Sequence, residues 1–149
     1  MEKKIMELKN NSSVICYIQL LQNNISRMNA CSGIIKASIC VIYTVLISII
    51  ITIPNMGKYW WISIILTIIG AIIDSYYLGL EKIYVEKYNV FLEDLNKCEV
   101  DVNKIYDMKP RNTSLKCEII ARTIESFTSF SIWGFYLMFI ILSILVKYI

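Results

Sequence analysis

The chain has 149 residues, enough for one domain and too few for two ordinary ones. Apolar residues make up 56% of it and charged residues 18%, and three stretches, 37–57, 59–73 and 126–146, hold no charge at all; a helix in water needs a polar face, and these offer little of one. The 15 basic and 12 acidic residues interleave, unlike the basic stripe of a nucleic-acid binder, and with no histidine and five cysteines in no C-x-x-C pair the chain excludes a zinc site and a histidine-assisted nucleophile.

The first 13 residues are polar. A cleaved leader would place its apolar run close behind the basic start, whereas here the first long run begins near Ile34, so the first membrane helix is expected to stay in the mature protein. Ser12 or Ser13 can cap a helix starting near Val14. Ile18, Leu21, Ile25 and Met28 then recur at steps of 3, 4 and 3, which predicts an amphipathic helix over 14–31. Ser32-Gly33 marks a weak point or a close helix contact. The first span is expected over 34–53, since crossing a hydrocarbon core about 30 Å thick takes about 20 helical residues. Pro54-Asn55-Met56-Gly57 ends it, and Lys58-Tyr59-Trp60-Trp61 has the composition of a membrane–water interface. The second span, 60–80, is expected to continue unbroken as an amphipathic helix to about 98. Residues 101–111 are more broken, with Pro110 as a stop. Asn112-Thr113-Ser114 supply caps for a helix over 114–126, which leads into a third span at 127–146.

The expected fold is therefore all-α: an integral membrane protein with three transmembrane helices and cytoplasmic amphipathic helical extensions. Of the 15 lysines and arginines, all but Lys58 and Lys147 lie before the first span, at its very start (Lys36) or between the second and third. By the positive-inside rule the N-terminus and the 81–125 segment face the cytoplasm and the C-terminus faces out. The cysteines read as small apolar residues of a reducing compartment.

Asp74 is an acid inside an apolar run, and such residues face a bundle interior, a partner or water. Folding the first two spans about the 54–59 turn brings Asp74 level with Ile39 and one turn from Lys36. An intramembrane Lys36–Asp74 ion pair is expected, either as a structural pair or as part of a proton or ion relay. Asp74, Tyr77, Glu81, Tyr84 and Tyr88 follow at steps of 3, 4, 3 and 4, forming one stripe that crosses from membrane to cytosol. The tyrosines can be interface anchors, or the stripe can receive a signal or a second protomer. Arg27 comes level with Glu86, one turn beyond Glu81, and can pair with either acid.

Leu21-Gln22-Asn23-Asn24-Ile25-Ser26-Arg27-Met28, then Ser32 and Lys36, and later Asp74-Ser75-Tyr76-Tyr77-Leu78 with Glu81, Tyr84 and Tyr88, resemble a group of small bacterial membrane proteins. Those proteins start with a helix of the form I-x-R-M-x-x-x-S-x-x-x-K that enters a membrane hairpin, and an acid-x-Tyr-Tyr-Leu-x-x-Glu helix leaves it. The resemblance covers about residues 18–90. It implies a setting beside anti-phage signalling genes of the Thoeris or CBASS type, where a membrane protein is the effector that ends the infected cell. The expected function is a non-enzymatic effector of the bacterial inner membrane that oligomerises and permeabilises the bilayer on a cytoplasmic signal. A membrane anchor or regulatory subunit for a cytoplasmic partner, or a small channel or holin-like protein, is the alternative. No cofactor is implied. The partners implied are the lipid bilayer, further copies of the chain, and a cytoplasmic signalling protein or a nucleotide-derived small molecule, with no nucleic acid.

Overall fold

A computed structural model of the protein describes residues 11–54, 56–97 and 115–147. All its regular elements are helical: α1 (Ser12–Thr52), a 3-10 turn (Gly57–Tyr59), α2 (Trp61–Lys97), α3 (Leu115–Phe127) and α4 (Phe130–Val146). At 1.5 Å per residue, the 41 residues of α1 extend about 62 Å, roughly twice a hydrocarbon core. Each of the first two helices thus has an apolar half and a polar half with no joint between them.

Asn11 caps α1, its side chain accepting from the Ser13 N–H at 3.0 Å. The expected cap at Ser12 or Ser13 is displaced, because the helix starts earlier and takes both serines into its first turn. The helix also runs straight through Ser32-Gly33. Ser32 is buried, and a side chain at Gly33 would meet nothing within 4 Å, so this glycine is neither a joint nor a close contact. The buried residues of α1, Val14, Tyr17, Leu21, Met28, Ser32, Ile39, Tyr43 and Ile50, keep one seam along its whole length. That seam faces α2, which returns antiparallel to it.

At the polar ends of the pair, Val14, Tyr17, Leu21 and Leu95 form a small core covered by Ile18, Tyr84, Tyr88 and Phe91. Tyr17 meets Phe91 edge-on at 4.8 Å, in the geometry aromatic rings prefer. Leu21 is completely buried there. Leu21→Ala should therefore lower unfolding stability in mild detergent by about 2–5 kcal/mol, the usual cost of emptying such a site. A change under about 1 kcal/mol would mean that this end of the hairpin opens freely.

The apolar half of α2 is built inside out. Ser63, Thr67, Gly70, Ala71, Asp74, Ser75 and Gly79 are buried, while Ile62, Ile65, Ile68, Ile69, Ile72 and Ile73 are exposed. Water would drive the opposite arrangement. Small residues between helices and large aliphatic ones outside is the pattern of helices packed within an apolar surround. Two helices are long and apolar enough to cross a membrane, and a third if α3 and α4 count as one span. The protein is thus compatible with a membrane location.

The expected straight passage from 114–126 into 127–146 is broken. Residues Ile119–Phe127 and Phe130–Val146 meet at 58°. At the break the helix ladder gives way to i,i+3 bonds, one of them made by a hydroxyl. Thr128 Oγ1 donates to the Glu125 carbonyl at 2.8 Å, the Ser129 N–H donates to the Ser126 carbonyl at 3.0 Å, and Ser129 caps α4 from an extended conformation. Helix α4 keeps its own buried seam, Ile132, Tyr136, Phe139 and Ser143. It packs along the upper half of α2, while α3 packs beside the lower half. The stop expected at Pro110, the caps at 112–114 and Cys98 lie outside the described residues.

Candidate functional site

Three helices converge on Asp74. Its carboxylate is completely buried, and Ser32 Oγ of α1 donates to Oδ1 at 2.5 Å. Lys36, one turn further along α1, places Nζ 3.4 Å from Oδ2, so the structure brings the expected pair together. The contact is electrostatic and lacks hydrogen-bond geometry, since Oδ2 has no donor. Lys36 also reaches Ser131 Oγ of α4 at 3.5 Å and stays 24% exposed, which keeps the ammonium at the edge of the bundle. The hairpin is offset by about one turn from the expected equal-depth pairing: Ile39 sits on Gly70 and not beside Asp74. Lys36 reaches Asp74 all the same, because its stem spans such an offset.

Sequence reasoning missed the α4 half of this hub. Tyr136 lies beside Asp74 and Cys40, with its hydroxyl fully buried and outside hydrogen-bonding geometry to any group. It also missed a second polar cluster further along the interior. Tyr43 OH donates to the Phe139 carbonyl at 2.9 Å and lies 2.9 Å from Ser143 Oγ. Ser63 Oγ is 2.8 Å from Ser143 Oγ and 2.6 Å from the Trp60 carbonyl. One signal was available in the chain: Ser63, Thr67, Ala71, Ser75 and Gly79 recur at every fourth position, one small-residue face of a helix. Beyond Trp60 the bundle ends in aromatic and basic residues, with Lys147 Nζ 5.4 Å from the Trp60 ring centre and Lys58 5.3 Å from that of Tyr59.

The expected stripe Tyr77, Glu81, Tyr84, Tyr88 does not stay together as one open surface. Tyr84 and Tyr88 turn into the α1–α2 core, where Tyr88 OH accepts from Gln22 Nε2 at 3.2 Å. Tyr77 is half-buried and meets Tyr76 edge-on. Glu81 is half-buried and lines a groove that Arg122 of α3 also borders. Met28 is buried as well, so the apolar seams of the two polar segments close on each other within one chain. Arg27 forms no ion pair among the described residues: it points outward from the seam, and Glu86 turns to Arg122 of α3.

The α2–α3 contact is tight. A Cβ on Gly79 would stand 2.9 Å from the Thr123 nitrogen and 3.1 Å from the Arg122 carbonyl carbon. Around this point Arg122 pairs with Glu86 and Glu125, and Lys82 with Glu125 at 3.3 Å. Hydrogen bonds from Arg122 first and Lys82 second hold the Glu125 carboxyl below its ordinary range. These pairs are exposed and contribute little to stability individually. Between the two helices runs an open groove of about 520 Å³. Glu81, Glu86 and Glu93 line it with Lys82, Arg122, Asn89 and three aliphatic residues, Leu78, Val85 and Val90. Both cations are already paired, so the groove's remaining charge is acidic.

Among the described residues no three histidine, cysteine or carboxylate side chains gather as metal ligands. No family model matches the chain, and no curated protein or solved structure gives a match.

Proposed function

We propose that this chain is a non-enzymatic effector of the bacterial inner membrane, one that changes the permeability of the bilayer when its cytoplasmic helices are engaged. The observation that carries the reading is the continuity of α1 and α2. Each joins a polar, self-packed half to an apolar half without a break, so a displacement at one end reaches the other as a rigid-body movement. Near the cytoplasmic edge sits the Lys36–Asp74 pair, the kind of costly polar feature that marks function within apolar segments. The resemblance of residues 18–90 to membrane effectors of anti-phage operons supplies the setting. Self-association belongs to the proposal. It is supported by the bareness of α1, where 17% of the apolar window is buried against 39% in α2. The acidic groove between α2 and α3 favours a basic protein segment as the signal over a phosphate-bearing nucleotide, which its carboxylates would repel.

Induced expression in bacterial cells loaded with a potential-sensitive dye should collapse the membrane potential and stop growth. Reporter fusions should place Lys147 outside and Asp101 in the cytoplasm. Normal growth and potential, with a soluble protein co-purifying in equal amount, would replace this reading with that of a membrane anchor.

A further inference from the structure

One wall of the groove between α2 and α3 carries its polar groups in a fixed order, and we propose that it holds residues 3–9 of a second copy of this chain, laid along it as an extended strand. This occupant belongs to the effector reading and rests on its self-association, and a basic signal would have to displace it.

Glu81, Val85, Asn89 and Glu93 line that wall at every fourth position of α2. Four helical residues rise about 6 Å, so the wall presents acid, aliphatic, amide and acid at regular steps over about 18 Å. Val85, Asn89 and Glu93 are exposed and Glu81 is half-buried. Among the described residues no ion pair or side-chain hydrogen bond engages Glu81, Asn89 or Glu93, whereas Lys82 and Arg122 are already held by Glu125 and Glu86. The chain holds one short complement to this order. Lys3, Ile5, Glu7 and Lys9 alternate along the sequence, and alternate residues of an extended strand share one face at about 6.6 Å steps. Laid parallel to α2, Lys3 meets Glu81, Ile5 covers Val85, Glu7 accepts from the Asn89 amide and Lys9 meets Glu93. The two repeats stay in step, since six strand residues extend about 20 Å. The same six residues as a helix would span about 9 Å and could reach only one of the two acids.

Geometry assigns the strand to a neighbour. Residues 1–10 lie outside the described residues, and α1 begins behind its Asn11 cap. Val14 shares a core with Leu95, so Asn11 stands level with the Glu93 end of the groove. The groove of the same copy is nevertheless out of reach. Tyr84, Tyr88 and Leu95 face α1, while Gly79, Lys82 and Glu86 face α3. With 3.6 residues per turn those two faces lie on opposite sides of α2. Between Asn11 and Lys9 there are two residue steps, which span about 7 Å, less than the thickness of the helix to be passed. A neighbouring copy in the same bilayer stands at the same height, and its Asn11 need only come alongside. Each exposed ion pair contributes little by itself. Their order fixes register and partner, and a strand tethered to a protein in the same membrane binds at a high effective concentration.

Carbodiimide coupling, which joins a carboxylate to an amine only where the two touch, reads the contact directly. Full-length protein labelled with heavy nitrogen is mixed in detergent with unlabelled protein, reconstituted in vesicles of phosphatidylethanolamine and phosphatidylglycerol, and coupled. Peptide mass spectra should show Lys9 joined to Glu93 and Lys3 to Glu81, in mixed heavy–light pairs as often as in pure ones. Glu81→Lys alone leaves both coupling groups at the other end, yet it should cut the Lys9–Glu93 product by roughly tenfold, because an attraction becomes a repulsion. Adding Lys3→Glu to the same chain should restore that product. Glu81→Gln, with a smaller loss, serves if the lysine form does not fold. Products confined to isotopically pure pairs would put the strand in the groove of its own copy and overturn the proposal. So would the absence of both products, or a Lys9–Glu93 yield that ignores Glu81→Lys and Glu81→Gln in folded protein. Collapse of the membrane potential on expression, with the links absent, leaves the effector reading standing and removes this one.

Discussion

Replacing Lys36 by leucine should destabilise the protein more than replacing Asp74 by leucine, although the two residues form one ion pair. The difference follows from where each side chain sits. Without Lys36, the Asp74 carboxylate remains completely buried with Ser32 as its sole hydrogen-bond donor, and an uncompensated buried charge costs about 3–5 kcal/mol. Without Asp74, Lys36 keeps an exposed face and Ser131, and its flexible stem turns the ammonium out of the bundle. Ser32 can then bond the backbone carbonyl one turn earlier. That loss should be about 1–2 kcal/mol, close to one net hydrogen bond and its desolvation. The double leucine variant should recover most of the stability, because an apolar pair of similar volume replaces a buried ion pair at little cost. Unfolding in mild detergent, followed by circular dichroism, gives all four corners of the cycle. Equal single losses, or a double loss equal to their sum, would show that the two groups do not sense each other.

The same substitution, glycine to alanine, should have three different outcomes in this chain. At Gly79 the added methyl group meets backbone atoms of Arg122 and Thr123, which cannot turn aside. Helix α3 must move as a body, at about 2–3 kcal/mol for an overpacked contact, and the Arg122–Glu86 and Lys82–Glu125 pairs go with it. At Gly70 the obstacle is the far end of the Ile39 side chain, which can change rotamer, so the cost should be about 1 kcal/mol. At Gly33 there is no obstacle, and the gain from restricting the unfolded chain in mid-helix should raise stability by about 0.5–1 kcal/mol. Melting temperatures in one detergent should rank Gly33→Ala above the unaltered protein, then Gly70→Ala, then Gly79→Ala. A neutral Gly79→Ala would mean that α3 does not pack on α2 as described.

Much of this was legible in the chain before folding. Charge-free stretches of 15 to 21 residues leave few options, and they mark the apolar parts of α1, α2 and α4, though not that α1 runs unbroken through Ser32-Gly33. Asp74 stood out because charge inside such a stretch is costly, and Lys36 lay within one turn of it in any antiparallel hairpin. The break at Thr128-Ser129 was not legible. Hydroxyls bond the local backbone or continue a helix with nearly equal ease, and packing against α2 decides between them. The tyrosine stripe misled for a related reason. A heptad step gathers residues on one side of a helix but does not say how far a neighbour covers them, and α1 covers Tyr84 and Tyr88 while Tyr77 and Glu81 stay half-buried. Tyr136 and Tyr43 were invisible as polar groups, since an aromatic residue in an apolar run reads first as hydrophobic mass.

The ion pair also bears on how such a chain would be made. In a bilayer, α1 emerging alone from the ribosome would offer Lys36 no counter-charge, and near the edge of a span an unpaired lysine or aspartate still costs part of the about 2.5–3.5 kcal/mol it would cost at the centre. The partner arrives only when α2 has been synthesised. Transfer into lipid is then favoured for the two helices together, as a hairpin already neutral at its core, over one segment at a time. Helix α4 comes last and closes the assembly by placing Ser131 against Lys36, so a chain truncated before it would enter the membrane with its polar centre still open on one side.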